Sequence, residues 1–75
     1  MTTPILVAPY RGGWDVIHEG ARYADSHHAD RDAAVVAGTA LARSERATLV
    51  TLDLAGCECT RIDYAARTHM AATAD

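Results

Sequence analysis

The residues best equipped for chemistry are two cysteines and two adjacent histidines. Cys57 and Cys59 stand at i, i+2, a spacing that on a strand sends both thiols to the same side. Two thiols make half of a structural zinc site. Such a site needs four ligands and usually separates its cysteines by two to four residues, not one. His18, His27, His28 and His69 would complete it only if the fold gathered them. The plainer reading is a pair of small apolar side chains on a half-buried strand, as free cysteines commonly pack. No metal and no other cofactor is expected. His27 and His28 precede a helix start, a place suited to acid–base work or to holding an anion; the preferred reading is a solvated loop. No order of Ser, His, Asp or Cys links a nucleophile to a base. Gly12-Gly13 lacks the further glycine and helix of a phosphate cradle. The chain therefore reads as non-enzymatic.

Binding residues are the next candidates. Trp14 follows the glycine pair and could serve as a stacking platform. With no Phe in the chain, its preferred role is the main core residue. All seven basic residues are arginine, a side chain suited to bidentate carboxylate or phosphate contacts. If Arg11 and Arg22 occupy adjacent hairpin tips, they form one patch with Arg31. Asp15, Glu19, Asp25 and Asp30 would offset it, and a scattered solvated surface is the plainer alternative. Arg11, Trp14, Arg22 and Arg31 are the candidate partner-contacting residues. The formal charge of -3 argues against broad affinity for nucleic acid or anionic membrane, so a nucleic-acid-associated regulator is the alternative reading.

The elements that must position these groups can be read along the chain. Ile5 to Ala8 is a short apolar run stopped by Pro9. Trp14 to His18 alternates, with Trp14, Val16 and His18 on one face and Asp15 and Ile17 on the other. The two runs predict a hairpin closed by a Gly-Gly loop. Gly20 supports a second turn, followed by a weak third strand over 21–24 and a polar connection over 25–28. Asp30 is placed to cap a helix from Arg31 to about Ser44, with Asp32 favourable near its start. Ala33, Ala37, Ala40, Leu41 and Ser44 fall at helical spacing as one low-profile stripe, and Ala34 and Leu41 share a neighbouring face. Gly38, in mid-helix, costs about 1 kcal/mol relative to Ala, and a close approach to the sheet would explain it. Thr48 to Leu52 is the clearest strand, and Cys57 to Ile62 returns as the last. The stretch 65–75 has no strong period and is expected to be a flexible tail. The order β-β-(β)-α-β-β predicts an α+β fold over 1–64: a small antiparallel sheet with one helix on one face.

Seventy-five residues make one domain near the size where a single core becomes marginal. Ile, Leu and Val supply only thirteen side chains, and burial returns about 25 cal/mol per Å². Self-association would relieve that shortage, so a homodimer is expected. No run approaches the ~18 apolar residues of a membrane span, and Met-Thr-Thr-Pro lacks signal-peptide features. A cytoplasmic protein with reduced cysteines is expected.

One further pattern is specific. Val7-Ala8-Pro9, Gly12-Gly13-Trp14-Asp15-Val16, Glu19-Gly20-Ala21, the helix opening Asp30-Arg31-Asp32-Ala33-Ala34, Leu41-Ala42-Arg43 and Ala47-Thr48-Leu49-Val50 follow one another at distinctive spacing. Over most of residues 5–62 this resembles the small bacterial family known as domain of unknown function 2188. Arg31-Asp32 stands where that family often has a lysine–glutamate pair. Ala55-Gly56-Cys57 replaces its glycine-basic turn. The resemblance implies a compact cytosolic α+β module and carries over no catalytic residue.

Overall fold

A computed structural model describes residues 3–65. Its elements are β1 (Ile5–Tyr10), β2 (Gly13–His18), β3 (Ser26–His28), α1 (Arg31–Glu45), β4 (Thr48–Leu52) and β5 (Glu58–Asp63). The strands form one sheet in the order β3-β2-β1-β4-β5, and α1 packs on one face. The α+β class expected from the sequence holds. The sheet is mixed, however, not purely antiparallel: β1 and β4 pair in parallel, Ile5 opposite Leu49 and Val7 opposite Thr51. The cause lies in the connection. A short turn reverses a chain, whereas a helix returns it to the end it left, so the strand after a crossover runs parallel. Here α1 carries the chain from edge strand β3 across β2 and β1 to β4.

The β1–β2 hairpin forms in the expected place with a different turn. Tyr10 pairs with Gly13, so the two-residue loop is Arg11-Gly12 and Gly13 opens β2. Arg11 has φ 47° and Gly12 φ 79°. Positive φ at both central residues is the type I′ requirement, which suits the twist of the flanking strands. Pro9 does not end β1; it lies within it, opposite Trp14. Parallel pairing with β4 stops at Val7, so Pro9 lies beyond the stretch where its missing N–H would interrupt that ladder.

The third strand lies later than expected. Residues 21–24 are irregular and mostly exposed, and β3 is the polar segment Ser26–His28, paired with Val16, Asp15 and Trp14. Its strand character comes from the neighbouring strand, not from its own side chains.

The helix starts as the sequence indicated: Asp30 Oδ1 accepts from Ala33 N at 2.8 Å. Its inward stripe has a different phase. Ala34, Gly38 and Ala42 are the buried positions, while Ala33, Ala40 and Ser44 are exposed. The seam consists of the smallest residues because the helix lies very close to the sheet. A Cβ on Gly38 would stand 3.0 Å from Val7 Cγ2 and 3.1 Å from Leu49 Cδ1. The core beneath comprises Ile5, Val7, Trp14, Val16, Ala34, Ala42, Ala47 and Leu49, flanked by Val35, Ala37, Leu41 and Tyr64. Trp14 is thus a core residue, as the absence of Phe suggested.

At the far end of β2, His18 ties the sheet to the end of α1. Its Nε2 lies 2.9 Å from Glu45 Oε1, and its Nδ1 lies 3.7 Å from Asp25 Oδ1. The Glu45 hydrogen bond, aided by both carboxylate charges and opposed by desolvation, raises the His18 pKa above its ordinary value.

Candidate functional site

The alternation of the paired strands leaves one sheet face uncovered by α1. Register places Leu6 beside Ile17 and Val50, with Ala8 and Tyr10 continuing along β1 and Leu52 along β4. Val50 is already buried; Leu6, Ala8, Ile17 and Leu52 are half-buried, and Tyr10 is exposed. An apolar strip therefore crosses the middle of the open face.

Beside this strip, toward β3, lies a polar cluster. Asp15 pairs with His27 across the β2–β3 ladder, so the two side chains project from the same side. His27 Nδ1 meets Asp15 Oδ1 at 2.5 Å. An ionised carboxylate only accepts hydrogen bonds, so Nδ1 donates to it, and Nε2 is the remaining ring nitrogen, lying over Gly13. The imidazole occupies the space a side chain at residue 13 would fill: a Cβ on Gly13 would stand 2.7 Å from His27 Nε2 and 2.5 Å from the His28 carbonyl oxygen. Gly13 is thus needed for proximity, not for a turn. The Arg11 guanidinium lies 5.4 Å from the centre of the Tyr10 ring, within cation–π range. Tyr10, Arg11, Asp15, Ala24, Ser26 and His27 line an open cleft of about 380 Å³.

The histidine pair is therefore not a solvated loop. It sits on β3, where His27 joins Asp15 and His28 Nε2 lies 2.8 Å from Ser26 Oγ. The sequence offered one signal for the dyad: Asp15 falls on the face of β2 opposite Trp14. Seeing its partner required knowing that 26–28 is a strand.

The four candidate binding residues do not form one patch. Arg11 is at the β1–β2 turn, whereas Arg22 is in the exposed connection after β2, at the strand's other end. A six-residue strand separates the two tips, so the expected Arg11–Arg22–Arg31 cluster does not exist. Arg31 begins α1 and lies with its guanidinium 5.8 Å from the centre of the Trp14 ring. Those two side chains border a second groove with Asp53, Leu54, Ala55 and Cys59.

Cys57 and Cys59 are both exposed, contrary to the half-buried strand expected for them. Two features explain this. The β4–β5 turn, held by Asp53 Oδ1 accepting from Ala55 N and Cys57 N, lifts Cys57 out of the ladder. A register shift then skips Cys59, because Leu52 pairs with Glu58 while Thr51 pairs with Thr60. No group of three or more His, Cys, Asp or Glu side chains is arranged to hold a metal among the described residues. His69 lies outside them, as does nearly all of the stretch 65–75.

The family called an uncharacterized protein conserved in bacteria, DUF2188, matches residues 5–56. The chain belongs to that family. The match runs from β1 through the β4–β5 turn, so it includes the hairpin, the dyad strands, α1 and β4. No curated protein and no solved structure matches the chain. No helix among the described residues is long and apolar enough to cross a membrane.

Proposed function

We propose that this chain is a non-enzymatic cytoplasmic interaction module that works as a homodimer, two copies packing through the open faces of their sheets. The observation that carries this reading is the half-buried apolar strip of Leu6, Ala8, Ile17 and Leu52 around the buried Val50, on a face that α1 leaves uncovered. An antiparallel face exposed to water normally alternates to polar side chains, and a contiguous apolar patch marks an interaction surface. Edge pairing is the poorer route. One edge, β3, is three residues long. The other, β5, carries the register shift near its start and a two-bond ion pair in which Arg61 Nε and Nη2 donate to Glu58 at 3.1 and 3.0 Å. Short strands, bulges and charges are the devices that blunt edges. Exposed, unbridged thiols suit a reducing compartment.

Light scattering of the purified chain at tens of micromolar tests the dimer. The mass should be that of two chains, and Ile17→Arg or Leu52→Arg should halve it while circular dichroism stays unchanged. A wild-type monomer, or a dimer indifferent to both substitutions, refutes the reading. The alternative, nucleic-acid binding through arginines, draws support from the two arginine–aromatic pairs, Arg11–Tyr10 and Arg31–Trp14. A gel shift with single-stranded and duplex probes at low salt decides it, and absence of binding removes it.

A further inference from the structure

The cleft beside the apolar strip has the chemistry of a small-ligand site, and nothing in a dimerisation surface requires it. Three features coincide there. Asp15 accepts from His27 Nδ1 and so orients the ring, with Nε2 over Gly13 beside Tyr10. Arg11 holds its guanidinium over Tyr10 and has no carboxylate partner among the described residues. The Tyr10 ring adds a flat apolar wall that is half exposed.

We infer that the cleft binds a small phosphate monoester attached to a flat ring, the phosphate between Arg11 and His27 Nε2 and the ring against Tyr10. Each part of the ligand follows from one part of the site. Arg11 presents a fork of N–H donors that matches phosphate geometry. A phosphate monoester offers three oxygens, enough to meet the Arg11 fork with two and the His27 ring with the third; a carboxylate has only two. A cleft of about 380 Å³ accommodates one ring and one phosphate, at the small end of ligand sites. The inference does not rest on the dimer, because its readouts are the cleft side chains themselves.

The experiment is an NMR titration of the full chain with phenyl phosphate, inorganic phosphate and benzoate, following the His27 ring C–H and Arg11 Nε–H signals. Phenyl phosphate should give saturable shifts at both residues. It should bind about fivefold or more tightly than inorganic phosphate, the increment from stacking one ring, and more tightly than benzoate. Arg11→Gln, in an exposed turn, should weaken it by about tenfold while the remaining spectrum is retained; His27→Gln should do likewise. No saturable shift, equal binding of benzoate or inorganic phosphate, or unchanged affinity in Arg11→Gln overturns the inference. Tighter binding of a phosphotyrosine peptide than of phenyl phosphate overturns the small-molecule assignment. Light scattering on the same samples reads the dimer separately.

Discussion

Replacing Gly38 with alanine opposes two effects of similar size, and the structure decides between them. In an exposed helix interior the change stabilises by about 1 kcal/mol, because alanine has less backbone freedom to lose. Here the new methyl would sit 3.0 Å from Val7 Cγ2 and 3.1 Å from Leu49 Cδ1, whereas carbon atoms rest about 3.5–4.0 Å apart. The neighbours must yield by a few tenths of an ångström, and whether they can decides the sign. Val7 is fully buried and Leu49 nearly so, and Val16 Cγ1 lies 3.8 Å away on the remaining side, so neither has space to retreat. Overpacking a tight core costs roughly 1–3 kcal/mol. Subtracting the propensity gain leaves a net loss of about 0–2 kcal/mol, and Gly38→Val, with two further methyls, should lose more. Urea unfolding followed by Trp14 fluorescence measures both, with Ser44→Ala on the exposed helix face as the propensity control. If Gly38→Ala gained the full 1 kcal/mol, the helix would not be seated on Val7 and Leu49 as described.

Two shorter predictions concern polar contacts. The His18 pKa is raised, chiefly by Glu45, so His18 contributes stability that is fully present below its unfolded value of about 6.5 and is lost as pH rises through the higher folded value. Urea midpoints from pH 5.5 to 9 should therefore fall above neutrality in wild type, and Glu45→Gln should flatten that fall; identical profiles would refute the link. Gly13→Ala should displace His27 and strain the β2–β3 pairing, since its Cβ would stand 2.5 Å from the His28 carbonyl oxygen. Hydrogen exchange at β3 amides should accelerate in that variant, and unchanged exchange would contradict the close approach.

What could be read from the sequence divides by the range of the interaction responsible. The Asp30 cap, the helix it starts and the Thr48–Leu52 strand are set by neighbours a few residues away, and all were legible. So was the burial of Trp14, because the chain has no Phe to fill the core. The parallel β1–β4 pairing was not, since it depends on where a helix lands after crossing two strands. Ser26–His28 lacks strand-forming side chains and becomes a strand only because β2 offers an edge. The phase of α1 was misread for a related reason: helical spacing suggested a stripe through Ala33, Ala37 and Leu41 with Ala34 on a neighbouring face, whereas proximity selected the smallest residues, Ala34, Gly38 and Ala42. At the candidate site, Arg11 was visible as an exposed cation at a turn. Its partner groups were not, because Asp15 and His27 meet only through the β2–β3 register.

Two glycines without positive φ, Gly13 and Gly38, show how the two faces of this sheet are organised separately. Neither is a turn residue; the glycines with positive φ are Gly12, Gly20 and Gly56. Gly38 lets the helix descend onto Val7 and Leu49, and so fixes the core face. Gly13 lets the His27 ring lie against β2 within reach of Asp15, and so fixes the cleft on the opposite face. If the faces are independent, the two alanine substitutions should have separable consequences. Gly38→Ala should lower global stability and leave the His27–Asp15 contact intact. Gly13→Ala should loosen β3 and the cleft while the core contacts of Ile5, Val7 and Leu49 persist.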